Sequence, residues 1–294
     1  MRQLRIACWY GMVGYGVVGI LCMQVAMSCV SPRRVITGTV SLDELTLALL
    51  QHAGKPELLV GVSYLADHDH HSWRPQAFVR VPHRVGAAIE SVLAARADLA
   101  LLSTYNRVQF YHQVAAAGTR ILKTGSITRI VDLERVVLEL SQRLCLPRTG
   151  QQVWQQFEQR LRHLQQRVRR PAAVLLMSLD GTVQGKGTLA DDVLRVLGLT
   201  NVAAESGAVG WAKLQRESLA ALRPELWVYP TTGEEVSPVR RNLRAVPYAR
   251  HWPVQSQPQN FVAVPAALYS SASHHVLDLA EYLVRAVEER KVAG

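Results

Sequence analysis

Short apolar runs alternate along the chain with longer segments in which apolar residues recur every three or four positions. The short runs are rich in β-branched residues and predict strands, whereas the longer segments predict amphipathic helices, the last of them over about Ser273–Arg290. This alternation is typical of α/β proteins, in which helices cover the faces of a sheet. The predicted strands are Val35–Thr37, Leu58–Val62, Leu99–Leu102, Arg120–Lys123, Ala173–Met177, Asn201–Ala203, Leu226–Tyr229 and Phe261–Val264.

One pattern of residues occurs twice, once in each half of the chain. A glutamate begins a short helix, an acid follows eight positions later, and an apolar strand comes next; the copies are Glu90–Leu102 and Glu217–Tyr229. A second pair of similar segments, Ser41–Leu50 and Thr188–Leu197, occurs in the same order. Each of these begins with a hydroxyl residue followed three positions later by an acid, the pattern of a capping box. Two repeats in one order predict two similarly built lobes.

A long helical stretch lies between the two halves. Its apolar residues fall at helical spacing on one face, and Pro171 follows it: Val153, Trp154, Phe157, Leu161, Leu164 and Val168. A helix over residues 151–168 spans about 27 Å, which is enough to bridge two lobes. We therefore predict an N-terminal α/β lobe at 33–147, a backbone helix at 148–170 and a C-terminal α/β lobe at 171–294.

The N-terminal segment determines the expected compartment. Arg2 and Arg5 precede an uncharged stretch that ends in small residues before Cys29, the pattern of a secretory signal peptide over residues 1–28. Cleavage before Cys29 is also the processing step of bacterial lipoproteins, so Cys29 is a candidate for lipidation. An uncleaved membrane anchor is the alternative, because about 20 apolar residues span a bilayer.

The cysteines and the charge are interpreted in the light of export. After cleavage Cys29 and Cys145 remain, and we expect Cys145 to have no partner and the fold to contain no disulfide. The net charge of +10 would ordinarily suggest nucleic acid, but an exported protein does not meet cytoplasmic nucleic acid, so we expect none as a partner. Six arginines surround the predicted backbone helix, as a solvated face or a contact for an anionic surface: Arg148, Arg160, Arg162, Arg167, Arg169 and Arg170.

Histidines cluster at two predicted strand ends. The loop Asp67-His68-Asp69-His70-His71 follows the second predicted strand, and His274-His275 lie at the start of the last helix. If both loops face one cleft, His68, His70, His71 and His274 are candidate metal ligands, since imidazole binds zinc, nickel, copper and iron. The alternative is a polar, solvated loop with one histidine that contacts an organic ligand.

Aromatic and polar residues follow other predicted strands and describe a pocket. Because parallel strands end at one edge of a sheet, we expect these residues to line a ligand cleft together with His68, Asp69, His70, His71, His274 and His275: Trp73, Tyr105, Asn106, Arg107, Trp211 and Tyr269. Arg107 is suited to an anionic group. The chain has no nucleophile elbow and no HExxH motif, so we expect a binding protein rather than an enzyme.

Several segments at strand and helix boundaries form a family pattern. They are Leu59-Val-Gly-Val-Ser63, Gly86 with Ile89-Glu-Ser-Val-Leu-Ala94 before Asp98-Leu-Ala-Leu-Leu102, Ala117-Gly118, Gly187-Thr-Leu-Ala-Asp-Asp192, Asn201-Val-Ala-Ala204, Gly210-Trp211 and Leu214 to Pro224. In these segments, over most of residues 34–290, the chain resembles the substrate-binding proteins of bacterial ABC importers for iron-siderophores, haem and cobalamin. The resemblance implies two Rossmann-like α/β lobes joined by a single long backbone helix, with the ligand cleft between them.

The resemblance also implies partners. Glu90 and Glu217, one on each lobe, match by motif position the glutamates that dock such proteins onto an ABC permease dimer. We expect a monomer, exported to the periplasm or lipid-anchored, that captures a small metal-containing ligand; iron or cobalt would belong to the ligand, so no resident cofactor is expected. The ligand does not carry over, because Thr37-Gly-Thr-Val40 and the histidine-rich loop depart from the family pattern. A chelatase-like enzyme acting on metal and tetrapyrrole, or a metal-ion-binding lipoprotein, remain the alternatives.

Overall fold

The first lobe is built on a five-stranded parallel sheet. The computed structural model of the chain describes residues 29–232, 252 and 260–289, and the predicted signal peptide lies outside them. The sheet order is β3-β2-β1-β4-β5. In chain order the elements are β1 (Val35–Thr37), α1 (Val40–His52), β2 (Leu59–Ser63), β3 (His83–Val85), α2 (Glu90–Ala95), β4 (Leu99–Ser103), α3 (Val108–Ala116) and β5 (Arg120–Thr124).

The central strands are apolar because both faces of the sheet are covered. Every residue of β1, β2 and β4 is buried. Neighbouring residues Val35 and Ile36 belong to two separate apolar clusters, as expected for side chains that alternate between the faces of a sheet. A strand buried on both faces has a continuous apolar sequence, which is why these strands could be predicted from their composition.

Two consecutive helices lead out of the first lobe. They are α4 (Ile130–Arg143) and α5 (Pro147–Arg167), and α5 contains 21 residues, a length of about 32 Å. The structure begins this helix at Pro147, one residue before the predicted bound, and ends it at Arg167, three residues before the predicted one. Proline suits that position because its φ is already helical and the missing N–H would have no partner there.

The second lobe repeats the architecture with a four-stranded parallel sheet, in the order β11-β10-β6-β8. A short antiparallel pair, β7-β9, lies beside it. In chain order the elements are β6 (Ala173–Leu176), β7 (Thr182–Gln184), α6 (Leu189–Val196), β8 (Thr200–Asn201), α7 (Val202–Glu205), β9 (Trp211–Lys213), α8 (Arg216–Ala221), β10 (Leu226–Thr231), β11 (Phe261–Pro265), α9 (Ala266–Tyr269) and α10 (Val276–Glu289). The chain therefore forms two α/β lobes, as the repeats predicted.

In each lobe the first strand lies inside the sheet, and the later strands are added first on one side of it and then on the other. In the first lobe β1 pairs with β2 on one side and β4 on the other, and in the second lobe β6 pairs with β8 and β10 in the same way. The loops after the two neighbours of the first strand leave in opposite directions, which opens a crevice at the carboxyl ends of the strands. Each lobe therefore offers one crevice.

Ion pairs attach α5 to the last helix of the second lobe. Arg160 lies 2.7 Å from Asp278, and Arg167 lies 2.7 Å from Glu281 and 2.8 Å from Glu288. Two of the six arginines predicted to form a solvated or anion-binding face are thus paired with the second lobe, and Arg162 lies 3.8 Å from Glu158 of its own helix. Within the described part of the chain, no helix is both long enough and apolar enough to cross a membrane.

The described strands differ from the prediction mainly where they are short. Asn201–Ala203 was predicted as a strand, but the strand ends at Asn201 because its side-chain oxygen accepts hydrogen bonds from the Ala203 and Ala204 N–H groups and so begins a helix. The strands β3, β7 and β9 were not predicted. Each has three residues and β9 has no buried residue, so no apolar pattern marks it.

The cysteine prediction is wrong. Cys29 and Cys145 form a disulfide bond, with 5.7 Å between their Cα atoms, that ties the segment before β1 to the turn between α4 and α5. Sequence spacing gave no indication of this pair, because the two residues are 116 positions apart and meet only in the folded chain. A sulfur atom in a disulfide cannot carry a lipid thioether, so this disulfide and lipidation at Cys29 exclude each other in one molecule.

Removing this disulfide is expected to destabilise the protein without changing its fold. Cys145→Ser should lower the free energy of unfolding by about 2–5 kcal/mol, because a cross-link over so long a loop restricts the unfolded chain. Urea unfolding of the non-reduced protein measures this difference. Cys29→Ser should have the same effect, the double variant no additional one, and reductant should abolish the difference between wild type and variants; additive single effects would contradict the bond.

Candidate ligand cleft

A cleft of about 770 Å³ lies between the two lobes. The first lobe contributes residues that directly follow its strands, including Gly38 after β1, Tyr64 after β2 and Tyr105 after β4, and the second contributes Gly187 and Trp211 among others. Carboxyl ends of parallel strands meet at one edge of a sheet, which is why loops distant in sequence line one cavity. The volume lies within the range of small-molecule sites.

Three large aromatic side chains at the cleft remain open to solvent. Tyr64 is 55% exposed, Tyr105 73% and Trp211 53%. The Trp211 ring meets the buried Tyr269 ring edge-on, at 5.8 Å between centroids, which holds the indole in place. Aromatic surface left open in a concave site is suited to the face of a flat ligand. Tyr64 was not predicted, although its position directly after a buried strand is the same signal that identified Tyr105.

The side chain of Asn106 lines the cleft but is bonded to the backbone of two cleft loops. Its side-chain oxygen accepts the Ser103 N–H and its amide donates to the Gly38 carbonyl, both at 2.9 Å. These bonds connect the loops after β4 and β1. A Cβ at Gly38 would lie 2.7 Å from Leu102 and 2.8 Å from the Asn106 amide, so this close approach requires glycine.

Arg107 supplies positive charge at the cleft. It lines the cavity just before α3, is exposed, and has no acidic partner among the residues that the structure describes. An unpaired guanidinium can bind a carboxylate with two parallel hydrogen bonds. Arg107 is therefore available to orient an anionic group of a ligand.

The histidines predicted for the cleft do not gather there. His71 lines it, whereas His68, Asp69 and His70 are exposed on the loop outside. The rings of His68 and His71 lie 6.3 Å apart, and the His70 ring nitrogen is 3.6 Å from the Asp69 carboxylate.

Two further predicted histidines lie behind the cleft instead. The ring nitrogen of buried His275 lies 2.6 Å from the Asp278 carboxylate, in the first turn of α10. His274 lies beside it, and burial lowers its pKa to about 3. Neither residue lines the cleft.

The proposed metal site is not formed. Nowhere in residues 29–232, 252 or 260–289 do three or more histidine, cysteine, aspartate or glutamate side chains lie close enough to hold a metal ion. His68, His70, His71 and His274 are therefore not brought together, because the first three are on an outer loop of one lobe and the last packs behind the cleft. Trp73 and Tyr269 also lie outside the cleft lining, the latter as the buried support of Trp211.

A buried carboxylate that the sequence analysis did not assign to the site connects the lobes at the back of the cleft. Glu44 lines the cavity, accepts the Trp73 N–H at 3.2 Å, and accepts the hydroxyl of Ser273 from the second lobe at 2.5 Å. The predicted capping box at this helix is not formed: Thr39 precedes α1 without a side-chain bond. Burial raises the pKa of Glu44, and nearby His275 opposes the rise.

The neighbouring carboxyl group is buried even more completely. Asp43 is fully buried and accepts hydrogen bonds from the Thr37 hydroxyl and, at 3.0 Å, the Ser63 N–H. Its second oxygen has no hydrogen-bond partner in the described residues. Burial raises the pKa of Asp43 to about 7 despite these bonds. The first turn of α1 thus places two carboxyl groups of raised pKa behind the cleft.

The predicted docking glutamates occupy matching surface positions. Glu90 and Glu217 are exposed and lie in the first turns of α2 and α8, one on each lobe. Neither lines the cleft. Their positions leave both carboxylates accessible to another protein.

The fold and the cleft define a class of protein, a two-lobed α/β protein with a cavity between the lobes. The family model for periplasmic binding proteins matches residues 39–253. Since this match covers more than half of the chain, the protein belongs to the periplasmic binding protein family. Comparison with curated proteins finds no match.

Solved structures share the fold at low sequence identity. A periplasmic heme-binding protein from Pseudomonas aeruginosa is 24% identical, with a TM-score of 0.70 over 87% of this chain and 92% of that one. The heme-binding protein HutB of Vibrio cholerae is 20% identical, with a TM-score of 0.72 over 86% and 97%. The vitamin B12-binding protein BtuF of the same species is 19% identical, with a TM-score of 0.66 over 88% and 98%.

The raised pKa of Asp43 predicts a pH-dependent stability. An acid whose pKa is higher in the folded state stabilises the fold at low pH, and this contribution is lost as pH rises from about 4 to 7. Between these pH values Asp43 should lower the free energy of unfolding by at most about 4 kcal/mol. Asp43→Asn, which keeps the oxygen acceptor, should remove most of this pH dependence. Urea unfolding at pH 4.5 and pH 7.5 measures it. The exposed Asp69→Asn is the control, and an unchanged slope in Asp43→Asn would contradict the assignment.

Proposed function

We propose that this protein is the substrate-binding component of an ABC import system, and that it captures a metal complex of the ferric siderophore, haem or cobalamin type. The observation that carries the proposal is the interlobe cleft, with open aromatic side chains from both lobes and an arginine that has no acidic partner among the described residues. Membership in the periplasmic binding protein family supports the same class of ligand, as do the similar structures, which are those of heme-binding and vitamin B12-binding proteins.

Capture in this cleft is non-covalent. Tyr64 and Tyr105 on one lobe and Trp211 on the other offer ring faces to a planar ligand, and contact with such rings removes apolar surface from water. Arg107 then pairs with a carboxylate at the edge of the ligand. His71 and the hydroxyl groups of Thr39, Ser270 and Ser271 supply additional polar contacts at the walls.

Delivery requires recognition by a two-fold symmetric membrane partner. Glu90 and Glu217 hold equivalent positions on two similarly built lobes, so a permease dimer with one basic pocket per subunit can bind both at once. Each carboxylate is also close to the N-terminus of its own helix, which favours negative charge. We propose that these glutamates dock the ligand-loaded protein, exported to the periplasm, onto the permease.

The role of Arg107 can be tested by comparing two ligands. Haem carries two propionates, so Arg107→Gln should weaken the binding of haem about tenfold. This corresponds to the loss of about 1.4 kcal/mol from a charge-assisted hydrogen bond. Cobalamin, whose side chains are amides, should be affected much less. Absorbance titration of the purified protein measures both affinities. Arg162→Gln, exposed on α5 and distant from the cleft lining, is the matched control.

The result also distinguishes the ligand classes. Haem that binds wild type and Arg107→Gln equally would contradict the assignment of the arginine to an anionic edge. If haem, cobalamin and ferric siderophores all fail to bind, the proposed ligand class itself is wrong.

The docking role can be separated from ligand binding. Reversing the charge in Glu90→Lys with Glu217→Lys should abolish uptake in cells while leaving ligand affinity unchanged, because neither residue lines the cleft. Uptake assays and titration of the same purified variant measure the two effects. Glu57→Lys, an exposed charge reversal in the same lobe as Glu90, should leave uptake unchanged. Loss of ligand affinity in the double variant would contradict the docking assignment.

A further inference from the structure

A second cavity of about 390 Å³ lies at the other end of α1, and we call it the rear cavity. The cleft is lined by the beginning of α1, with Val40 and Ser41, whereas the rear cavity is lined by its end, with Ala48, Gln51 and His52. At 1.5 Å per residue, Val40 and His52 are about 18 Å apart along the helix. The two cavities are therefore distinct. The remaining lining residues are Leu133, Val137, Val153, Trp154, Gln156, Phe157, Arg160, His274 and Leu277.

The walls of the rear cavity are flat and mainly apolar. Trp154 and Phe157 are stacked, with 4.7 Å between ring centroids and 14° between ring planes. The helices around the cavity contribute the buried aliphatic side chains of Leu133, Val137 and Leu277. A cavity of this volume, bounded by an aromatic pair and branched aliphatic side chains, is suited to a ring of one or two fused cycles.

The polar groups of the rear cavity favour negative charge. Among the described residues, the lining contains Arg160 and His52 and no aspartate or glutamate, while burial lowers the pKa of His274 to about 3 and so keeps its ring neutral. One guanidinium nitrogen of Arg160 meets Asp278 at 2.7 Å, and the described residues show no partner for its other nitrogens. A guanidinium has five N–H groups, so Arg160 can hold Asp278 and an additional carboxylate. Charge at this cavity is therefore complementary to an anion.

Two buried nitrogen atoms at this cavity lack hydrogen bonds. They are Nε1 of Trp154 and Nδ1 of His274, and neither has a partner within the described residues. Trp154 is 7% exposed, so its N–H cannot be satisfied by bulk water. Buried polar atoms in folded proteins are nearly always paired, and an unpaired one calls for an explanation. Two of them in the wall of one cavity indicate a site that packing alone does not complete.

We propose that the rear cavity binds a small planar molecule that carries one carboxylate, an aromatic carboxylic acid. The ring lies against the Trp154–Phe157 pair, and the carboxylate pairs with Arg160. This site is additional to the interlobe cleft and does not depend on the function proposed for it.

Two tryptophans make the two sites separately observable. Trp154 lies in the rear cavity and Trp211 in the cleft, so their indole N–H signals in a ¹⁵N-labelled protein report on each site. Trp154→Phe and Trp211→Phe assign the signals. The probe is 2-naphthoate, with its uncharged amide, 2-naphthamide, as the matched neutral molecule. We expect naphthoate to shift the Trp154 signal saturably, to leave the Trp211 signal in place, and to bind about tenfold more tightly than the amide.

Variants of the lining then test the location. Arg160→Gln should reduce naphthoate affinity about tenfold, to that of the amide, while Arg162→Gln, two residues further along the same helix, should not change it. Ala48→Phe should fill the cavity and abolish binding. If that variant does not fold, Gln51→Trp, at an exposed position of the lining, should obstruct the same cavity.

The outcomes are decisive in either direction. A shift of the Trp211 signal alone, or no shift at saturating naphthoate, would overturn the site. Equal binding of naphthoate and naphthamide would overturn the role of charge. Binding that survives both Ala48→Phe and Gln51→Trp in folded protein would overturn the location.

Discussion

The shared apolar core around α5 is the constraint on which the remaining structure depends. Trp154, Phe157, Leu161 and Leu164 are buried on one face of this helix. They belong to one continuous cluster that also contains Val35 of β1 and Val174 of β6, so the two lobes share a core in addition to the smaller apolar cluster that each lobe has of its own. A large rotation of one lobe would expose this apolar surface to water, which is unfavourable by about 25 cal/mol for each square ångström. The cleft between the lobes is therefore largely formed before a ligand arrives.

Polar contacts across the lobes act in the same direction as the core. The Ile130 N–H at the start of α4 donates to Asp192 of α6 at 2.9 Å, and Ser273 donates to Glu44 at the back of the cleft. Hydrogen bonds are directional, whereas apolar contacts are not. The apolar core therefore holds the lobes together, and these two hydrogen bonds fix the angle between them. A preformed cleft loses little conformational entropy when a ligand binds.

Much of the scaffold could be predicted because its signals are local. The central strands are buried on both faces and so have continuous apolar sequences, and α5 shows an apolar face at helical spacing. The repeat that begins at Glu90 and Glu217 predicted the two lobes for a related reason, since similar lobes need similar helix–strand junctions. Short strands such as β9, with no buried residue, have no such signal and were missed.

The site was predicted less well because its signals are not local. Tyr105, Arg107 and Trp211 line the cleft, but His274 and His275, in an equally polar segment, pack behind it. The position of a loop after a strand says that a residue is near the sheet edge, not which way its side chain faces. Glu44 shows the converse, because an acid predicted to cap its own helix is instead bonded to Ser273, 229 residues away.

Local patterns along the chain were enough to predict the α/β alternation, the two lobes and the bridging helix, because backbone preference and apolar spacing act over a few neighbouring residues. Tertiary structure alone decided which residues meet across long separations. It joined Cys29 to Cys145, kept the histidines apart, buried Asp43 and Glu44, and formed the rear cavity between α1, α4 and α5. Those outcomes depend on how the lobes pack around a common core, and no pattern within one segment encodes that packing.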